Sequence, residues 1–466
     1  MSAGEINSLS AAELAAKIAC RDISPVEAVD AALCHLEAVQ PSLNAFDSIA
    51  AEAAQDAARR SEATLFAGQA IGPLHGVPVS IKDLIDVAGL PARYGSLTLK
   101  DNVAKTDAPS VQRLKESGAI IIGKTTTSEF GYRGYTKSLV HGNTRNPWSL
   151  DRTPGGSSGG AVASVAAGVT AIALGTDGGG SVRAPCALTG LVGIKANFGR
   201  VPIWPASATP TLAHVGPIAR SVEDAALLLR VISGPDDRDA FSLYPAIPAE
   251  PSVGALRGLK IAFSPALGYA KVDSEISEIV AKAIQSLVRL FPKIEAVDQV
   301  CEDPAEIMIV EFMGGCSAKL GEIVDRSPEL IDPPLLDGIA AFRERTSADV
   351  MKVLRRRLAH REVLRLFFQK YDLLLTPTTP CEAWSIDRPV PPGHESAPVW
   401  TYFTYPFNLS GQPAGTIPCG MTNAGLPVGL QFVVPLCRED LLIASMRAAE
   451  SVLDIRVRFP FEVKSL

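Results

Sequence analysis

Three stretches of this sequence hold residues whose types and spacing could do chemistry. Residues 154–160 read PGGSSGG, residues 175–185 read GTDGGGSVRAP, and residues 74–83 read LHGVPVSIKD. Runs of glycine leave backbone N–H groups open and let a substrate approach closely. Ser181 follows Gly178, Gly179 and Gly180, which makes it a candidate nucleophile with oxyanion donors beside it. A flexible turn that ends in serine is the plainer reading of either stretch alone. In the third stretch, strand alternation puts Val77, Val79 and Ile81 on one face and Ser80 and Lys82 on the other. A lysine leaving an apolar strand is open to desolvation, which lowers its pKa. A lone strand lysine is ordinarily a surface residue, and the two serine loops are what weaken that reading here.

Two short motifs compete with this grouping. Residues 155–159 satisfy G-x-S-x-G, the nucleophile elbow, with His214 and His360 available downstream. That reading leaves GTDGGGS without a role. Residues 118–125 read GAIIIGKT, the spacing of a phosphate-binding P-loop. Ile120, Ile121 and Ile122 fill the turn positions, however, and β-branched apolar side chains suit a buried strand. A core strand offers no open nest of N–H groups to an anion.

The elements that must position these residues follow from local pattern. Ser10–Glu13 and Ser24–Glu27 are capping boxes, the second with Pro25 at the first helical position. From about Gly72, short β-rich runs such as VPVSI, AIII and AIAL alternate with alanine-rich helical stretches. That alternation predicts an α/β protein with a mixed, mostly parallel central sheet covered by helices on both faces. Residues 235–255 read as a Pro- and Asp-rich crossing, and a helical section runs to about Gln369. YDLLLTPTTP (371–380) then reads as a buried strand and turn. The expected organisation is one domain over 1–466. It comprises N-terminal helices (1–70), a core (71–234), a more variable helical substrate-side section (235–370) and a C-terminal part of the core (371–466).

Composition bounds the rest. Of the 466 residues 47% are hydrophobic and 20% charged, and the net charge is −6. This is an ordinary globular balance that disfavours a nucleic-acid surface over the whole molecule. LRRRLAHREVLR (354–365) reads as an amphipathic helix with Leu354, Leu358 and Leu364 on its apolar side and a solvated basic face. The eight cysteines form no CxxC pair, so neither a zinc site nor a disulfide framework is expected. The start MSAGEINSLS has no signal-peptide pattern and no apolar run reaches 18 residues, so the expected location is the cytoplasm.

Taken together, these stretches resemble the amidase signature family. The resemblance runs from PLHGVPVSIKD through GAIIIGKTTTSEFG, NTRNPW, TPGGSSGGAVASVAAG, GTDGGGSVRAPCALTGLVGIKANFGRVP and HVGPIARSVEDAALLL. It resumes in FTYPFNLSGQPAGTIPCG and GLPVGLQFV near the C-terminus. The family works through a serine, cis-serine, lysine triad, and by motif position the resemblance implies Ser181 as nucleophile, Ser157 as proton relay and Lys82 as base. Ser157 and Ser181 lie 24 residues apart, the family's usual spacing, and Ser158 is the neighbour most easily confused with the relay. Such a lysine must be neutral, a fall from about 10.4 towards ~7–8 that corresponds to roughly 4 kcal/mol. The resemblance further implies an oxyanion hole from the N–H groups of Gly178, Gly179, Gly180 and Ser181, support of that loop by Asp177 and Arg183, and no metal or organic cofactor. Gly178 stands where threonine is common, and Ala196-Asn197 replaces a usual Pro-Thr.

The family spans aliphatic amides, aryl acylamides, carbamates, ureas and fatty-acid amides, and includes the amidotransferase component that works on misacylated tRNA. Tyr132, Tyr135, Trp204, Trp400, Tyr402 and Phe403 are the candidate pocket aromatics, which would suit an apolar or aryl amide or carbamate. The expectation is thus an amidohydrolase of a small amide, anilide or carbamate, as a monomer or homodimer, with no nucleic acid or membrane partner. The alternatives are the amidase subunit of a tRNA-dependent amidotransferase, or a non-catalytic subunit with this fold.

Overall fold

A computed structural model describes residues 1–397 and 399–455; the end of the expected C-terminal section, 456–466, lies outside the described residues. Its strands are β1 (Phe46–Ile49), β2 (Pro78–Lys82), β3 (Ile120–Thr125), β4 (Lys137–Ser138), β5 (Gly142–Asn143), β6 (Ile172–Thr176) and β7 (Val192–Lys195). They continue with β8 (Val215–Ala219), β9 (Ile261–Phe263), β10 (Ile294–Ala296), β11 (Leu373–Pro377), β12 (Ala414–Met421) and β13 (Pro427–Val433). Apart from the small β4–β5 ribbon, they form one sheet in the order β1-β3-β2-β6-β8-β7-β12-β13-β11-β9-β10.

The sheet is mixed and helices cover it, as expected, but the parallel majority is not found. Parallel pairing is confined to β3-β2-β6 and β11-β9-β10 among the described residues, and the pairs between β6 and β11 are all antiparallel. The physical reason lies in two connections. Residues 196–214 link β7 to β8 without a helix, so β8 returns between β6 and β7 and runs opposite to both. A tight turn at Thr422–Leu426 makes β12 and β13 a hairpin.

Alternation on β2 sorts the layers. Val79 and Ile81 enter the large core that also takes Val77, while Ser80 meets Ser164 and Thr170 on the other face. There the helix Gly159–Ala166 lies, every one of its residues buried. Both N-terminal capping boxes form, on helices Ala11–Ala19 and Pro25–Leu43. GAIIIGKT supplies β3, a core strand, and its Lys124 is buried against Asp83 at 3.0 Å. The section 235–370 is mainly helical, with Ala305–Arg326, Pro333–Arg343 and Ser347–Lys370 as its main helices, but it also supplies β9 and β10 at the edge of the sheet, which the sequence reading did not place there. The basic run lies on the last of these, but its inward face is Val353, His360 and Leu364. Leu354 and Leu358 point to solvent, because the pair of Arg357 with Glu311 fixes the helix the other way round.

Candidate active site

Lys82 ends β2, level with Thr125 of β3, and its neighbour Ile81 faces Leu174 of β6. The carboxyl ends of these three parallel strands therefore converge, the usual place for a site in an open α/β sheet. The Lys82 side chain is fully buried. Its Nζ lies 2.7 Å from Ser157 Oγ, 2.9 Å from Ser158 Oγ and 2.8 Å from Thr176 Oγ1. Burial pushes its pKa well below the usual lysine range, and the Asp177 charge only partly opposes this.

A neutral amine has two N–H bonds and one lone pair. In its neutral form Lys82 would donate to two of the three hydroxyls around it and accept from the third. Ser158 is committed elsewhere: it donates to the carbonyl of Thr176 at 3.2 Å and accepts from the Thr176 N–H at 3.3 Å. Ser157, on a cis peptide after Gly156, lines a cavity of about 850 Å³, open mouth included, that Ser181 and Gly178 also line. Lys82 does not reach that cavity. Ser157 and Thr176, which both line it, stand between them.

Ser181 sits on the loop between β6 and the helix Arg183–Thr189. The carboxylate of Asp177 organises this loop by accepting from the N–H groups of Gly180 (2.7 Å), Val182 (3.2 Å) and Arg183 (3.4 Å). Burial alone would raise its pKa, but the two-pronged Arg183 guanidinium and Asn408 hold it well below the carboxylate range. Asp177 and Arg183 thus act on the loop, not on the cavity. One expected oxyanion donor is corrected by this geometry: the Gly180 N–H is taken by Asp177. The N–H groups of Gly178, Gly179 and Ser181 have no acceptor among the described residues. Thr404 and Thr401 hold the Gly179 carbonyl at 2.7 and 3.2 Å.

Of the six expected pocket aromatics, only Trp204 lines the cavity. Tyr135 and Trp400 pack with Trp384, and Tyr402 and Phe403 pack with Phe407. Tyr132 lies against the core around Cys316 and Leu335. The cavity aromatics that sequence reasoning missed are Tyr94, Phe130 and Phe312. Tyr94 and Phe130 sit on the loops after β2 and β3 at φ 53° and 47°, and the Phe130 N–H donates to the Tyr94 carbonyl at 2.8 Å. Their place just past the strand end that carries Lys82 was the available signal. Phe312 comes from the helix Ala305–Arg326, where the family resemblance is weakest. Thr176, the third hydroxyl on Lys82, was also missed.

The sequence profile of the family described as Amidase matches residues 27–443. The chain belongs to the amidase signature family. It is 36% identical over 456 residues to an acylamidase of Rhodococcus erythropolis, covering 95% of each chain. It is also 34% identical to a glutamyl-tRNA(Gln) amidotransferase subunit of Acidothermus cellulolyticus, covering 95% of this chain and 94% of that one. Among solved structures, a bacterial aryl acylamidase of the amidase signature family superposes with a TM-score of 0.90 at 28% identity, over 98% of this chain and 99% of that chain. The protein is a hydrolase of carbon–nitrogen bonds other than peptide bonds. Among the described residues no helix is long and apolar enough to cross a membrane.

Proposed function

We propose that this amidase cleaves a small apolar or aryl carboxylic amide through an acyl-enzyme on Ser181, with Ser157 as proton relay and Lys82 as base. One observation carries this reading: the buried, pKa-lowered Lys82 is hydrogen-bonded to Ser157, and Ser157, not Lys82, faces the cavity shared with Ser181. The Ser181 oxygen bonds to the amide carbon while its proton passes to Ser157 and the Ser157 proton passes to Lys82. The carbonyl electron pair moves to oxygen, which the N–H groups of Gly178, Gly179 and Ser181 receive. When the C–N bond breaks, the departing amine takes a proton from Ser157, which Lys82 replenishes. Water then repeats the sequence on the ester, releasing the acid and restoring Ser181.

The aromatic lining by Tyr94, Phe130, Trp204 and Phe312 supports an aryl or apolar group in the substrate, and acylamidases are among the relatives. A second reading, the amidase subunit of a tRNA-dependent amidotransferase, is favoured by the 34% identity to such a protein. Amine release by the purified chain alone decides between them, with an aliphatic amide, an anilide, an aryl carbamate and glutamine as substrates. The expected result is release from the anilide that Ser181→Ala abolishes. Silence on every substrate from folded protein would overturn the autonomous amidase, and release from glutamine alone would favour the amidotransferase reading.

A further inference from the structure

The catalytic cavity holds a second polar group that the hydrolytic steps do not use. Asp86 lines the same cavity as Ser157 and Ser181 and is 9% exposed. Its Oδ1 accepts from the Tyr94 hydroxyl at 2.6 Å. Burial, and then the bond to Asp86, push the Tyr94 phenol up, so it stays protonated and donates. Among the described residues Oδ2 takes no hydrogen bond, yet it is not sealed in the protein interior. Lys319 enters the cavity wall from the helix Ala305–Arg326, and its Nζ donates to the Ala206 carbonyl at 2.8 Å. It makes no close ion pair with Asp86, although the Asp86 charge acts on it. Leu84, Phe130 and Phe312 make the wall largely apolar, and the Ser110 hydroxyl, which also lines it, makes no hydrogen bond among the described residues.

An ionised carboxylate only accepts hydrogen bonds. In an apolar cavity its free oxygen loses water when a substrate enters, and it regains a partner only if that substrate brings a donor. A site built to bond a substrate hydroxyl or amine rejects the analogue without one, because the buried polar group is then left unpaired. We propose that Asp86, held by Tyr94, forms a donor-reading subsite. It selects amides that carry a hydroxyl or amine on the group remote from the scissile bond. The inference rests on the amidase reading of the cavity and names the substrate class within it. A substrate carboxylate would be repelled from Asp86, and Lys319, more exposed, would meet it only nearer the solvent.

The test measures binding, so that it does not depend on turnover. Acetanilide, 3- and 4-hydroxyacetanilide and 4-aminoacetanilide are titrated into Ser181→Ala protein by calorimetry. They are then titrated into Ser181→Ala carrying Asp86→Asn or Tyr94→Phe. A bond to a charged acceptor is worth about tenfold or more in affinity, so at least one donor-bearing ring should bind at least tenfold tighter than acetanilide. That ratio should fall at least fivefold in Asp86→Asn, whose side chain is half donor. Tyr94→Phe, which leaves both carboxylate oxygens wanting a donor, should keep or raise it. An equal affinity for all four rings, a ratio untouched by Asp86→Asn, or no binding by any ring at millimolar concentration overturns the subsite. An active parent enzyme with no donor preference sinks the subsite and leaves the amidase reading standing. Donor-dependent binding to a chain that turns over no amide does the reverse.

Discussion

Three hydroxyls surround one amine at Lys82, and their remaining bonds decide which of them can move a proton. Ser158 gives its proton to a backbone carbonyl, so Ser157→Ala and Ser158→Ala should differ sharply. Removing Ser157, the proposed relay, should cost ~10²–10⁴ in kcat. Removing Ser158 takes away an anchor of Lys82 and should cost about tenfold. Steady-state kinetics on the preferred amide checks both, and equal losses would contradict the assignment. The direction of the Lys82 shift fixes a pH dependence. Burial lowers its pKa, so the neutral base persists well below the ordinary lysine range and activity is lost only as pH falls through that lowered value. kcat/KM should therefore rise along an acidic limb and reach its plateau far below pH 10.5. Lys82→Ala should be severely impaired and not rescued at high pH.

At the scale of elements, the loop after β6 is set by Asp177, Arg183 and Thr404, none of which lines the cavity. Gly180 adopts φ 129°, and a Cβ there would lie 2.1 Å from Thr404 Oγ1. Gly180→Ala must displace either Thr404, and with it the hold on the Gly179 carbonyl, or the loop itself. A kcat loss of ~10²-fold or more, the usual cost of a lost oxyanion donor, is expected with KM little changed. A loss confined to KM would mean that the loop only shapes the pocket. Much of this element was legible in the letters. GTDGGGS, the alternation of VPVSIK and the strand character of GAIIIGKT are local features, and local features are what a sequence records. Gly180 was misassigned because the Asp177 bond to its N–H arises only when the loop folds back. Tyr135, Trp400, Tyr402 and Phe403 were misassigned for a related reason. An aromatic side chain suits a core as well as a cavity, and only the packing of Trp384 and Phe407 against them decides.

At the scale of the whole molecule, a buried and a half-buried carboxylate tie both ends of the described chain to one helix. Asp224, in the helix Val222–Ile232, accepts from the N–H groups of Ala11 and Ala12, and Glu450 of the last helix, Glu439–Leu453, accepts from the N–H of Val222. Burial pushes the Glu450 carboxyl up to about 7. Its folded pKa lies above its unfolded one, so the native state holds the proton more tightly. The stability this gives is complete below the ordinary glutamate range and is lost as pH rises through 7. Glu450→Gln keeps an acceptor for Val222 without the charge, so its Tm relative to the parent should increase between pH 5 and pH 8. A Tm difference independent of pH would place the raised pKa elsewhere. The mixed sheet was less legible than the site, because the return of β8 between β6 and β7 depends on a 196–214 connection that carries no helix and hence no periodic signal.

The complete burial of Lys82 has a consequence for covalent chemistry. An amine whose pKa burial holds well below the ordinary lysine range is a better nucleophile at a given pH than an exposed one, yet here Ser157, Ser158 and Thr176 stand around it and none of its surface is exposed. Acylating reagents will therefore modify the exposed lysines of the native protein first and leave this one intact, so coupling through surface amines to a support spares Lys82. Once the ends of β2 and β6 part, the same lysine becomes available. The rate at which it acquires a label then reports how often the strand ends open, a clock for local unfolding placed at the reacting centre.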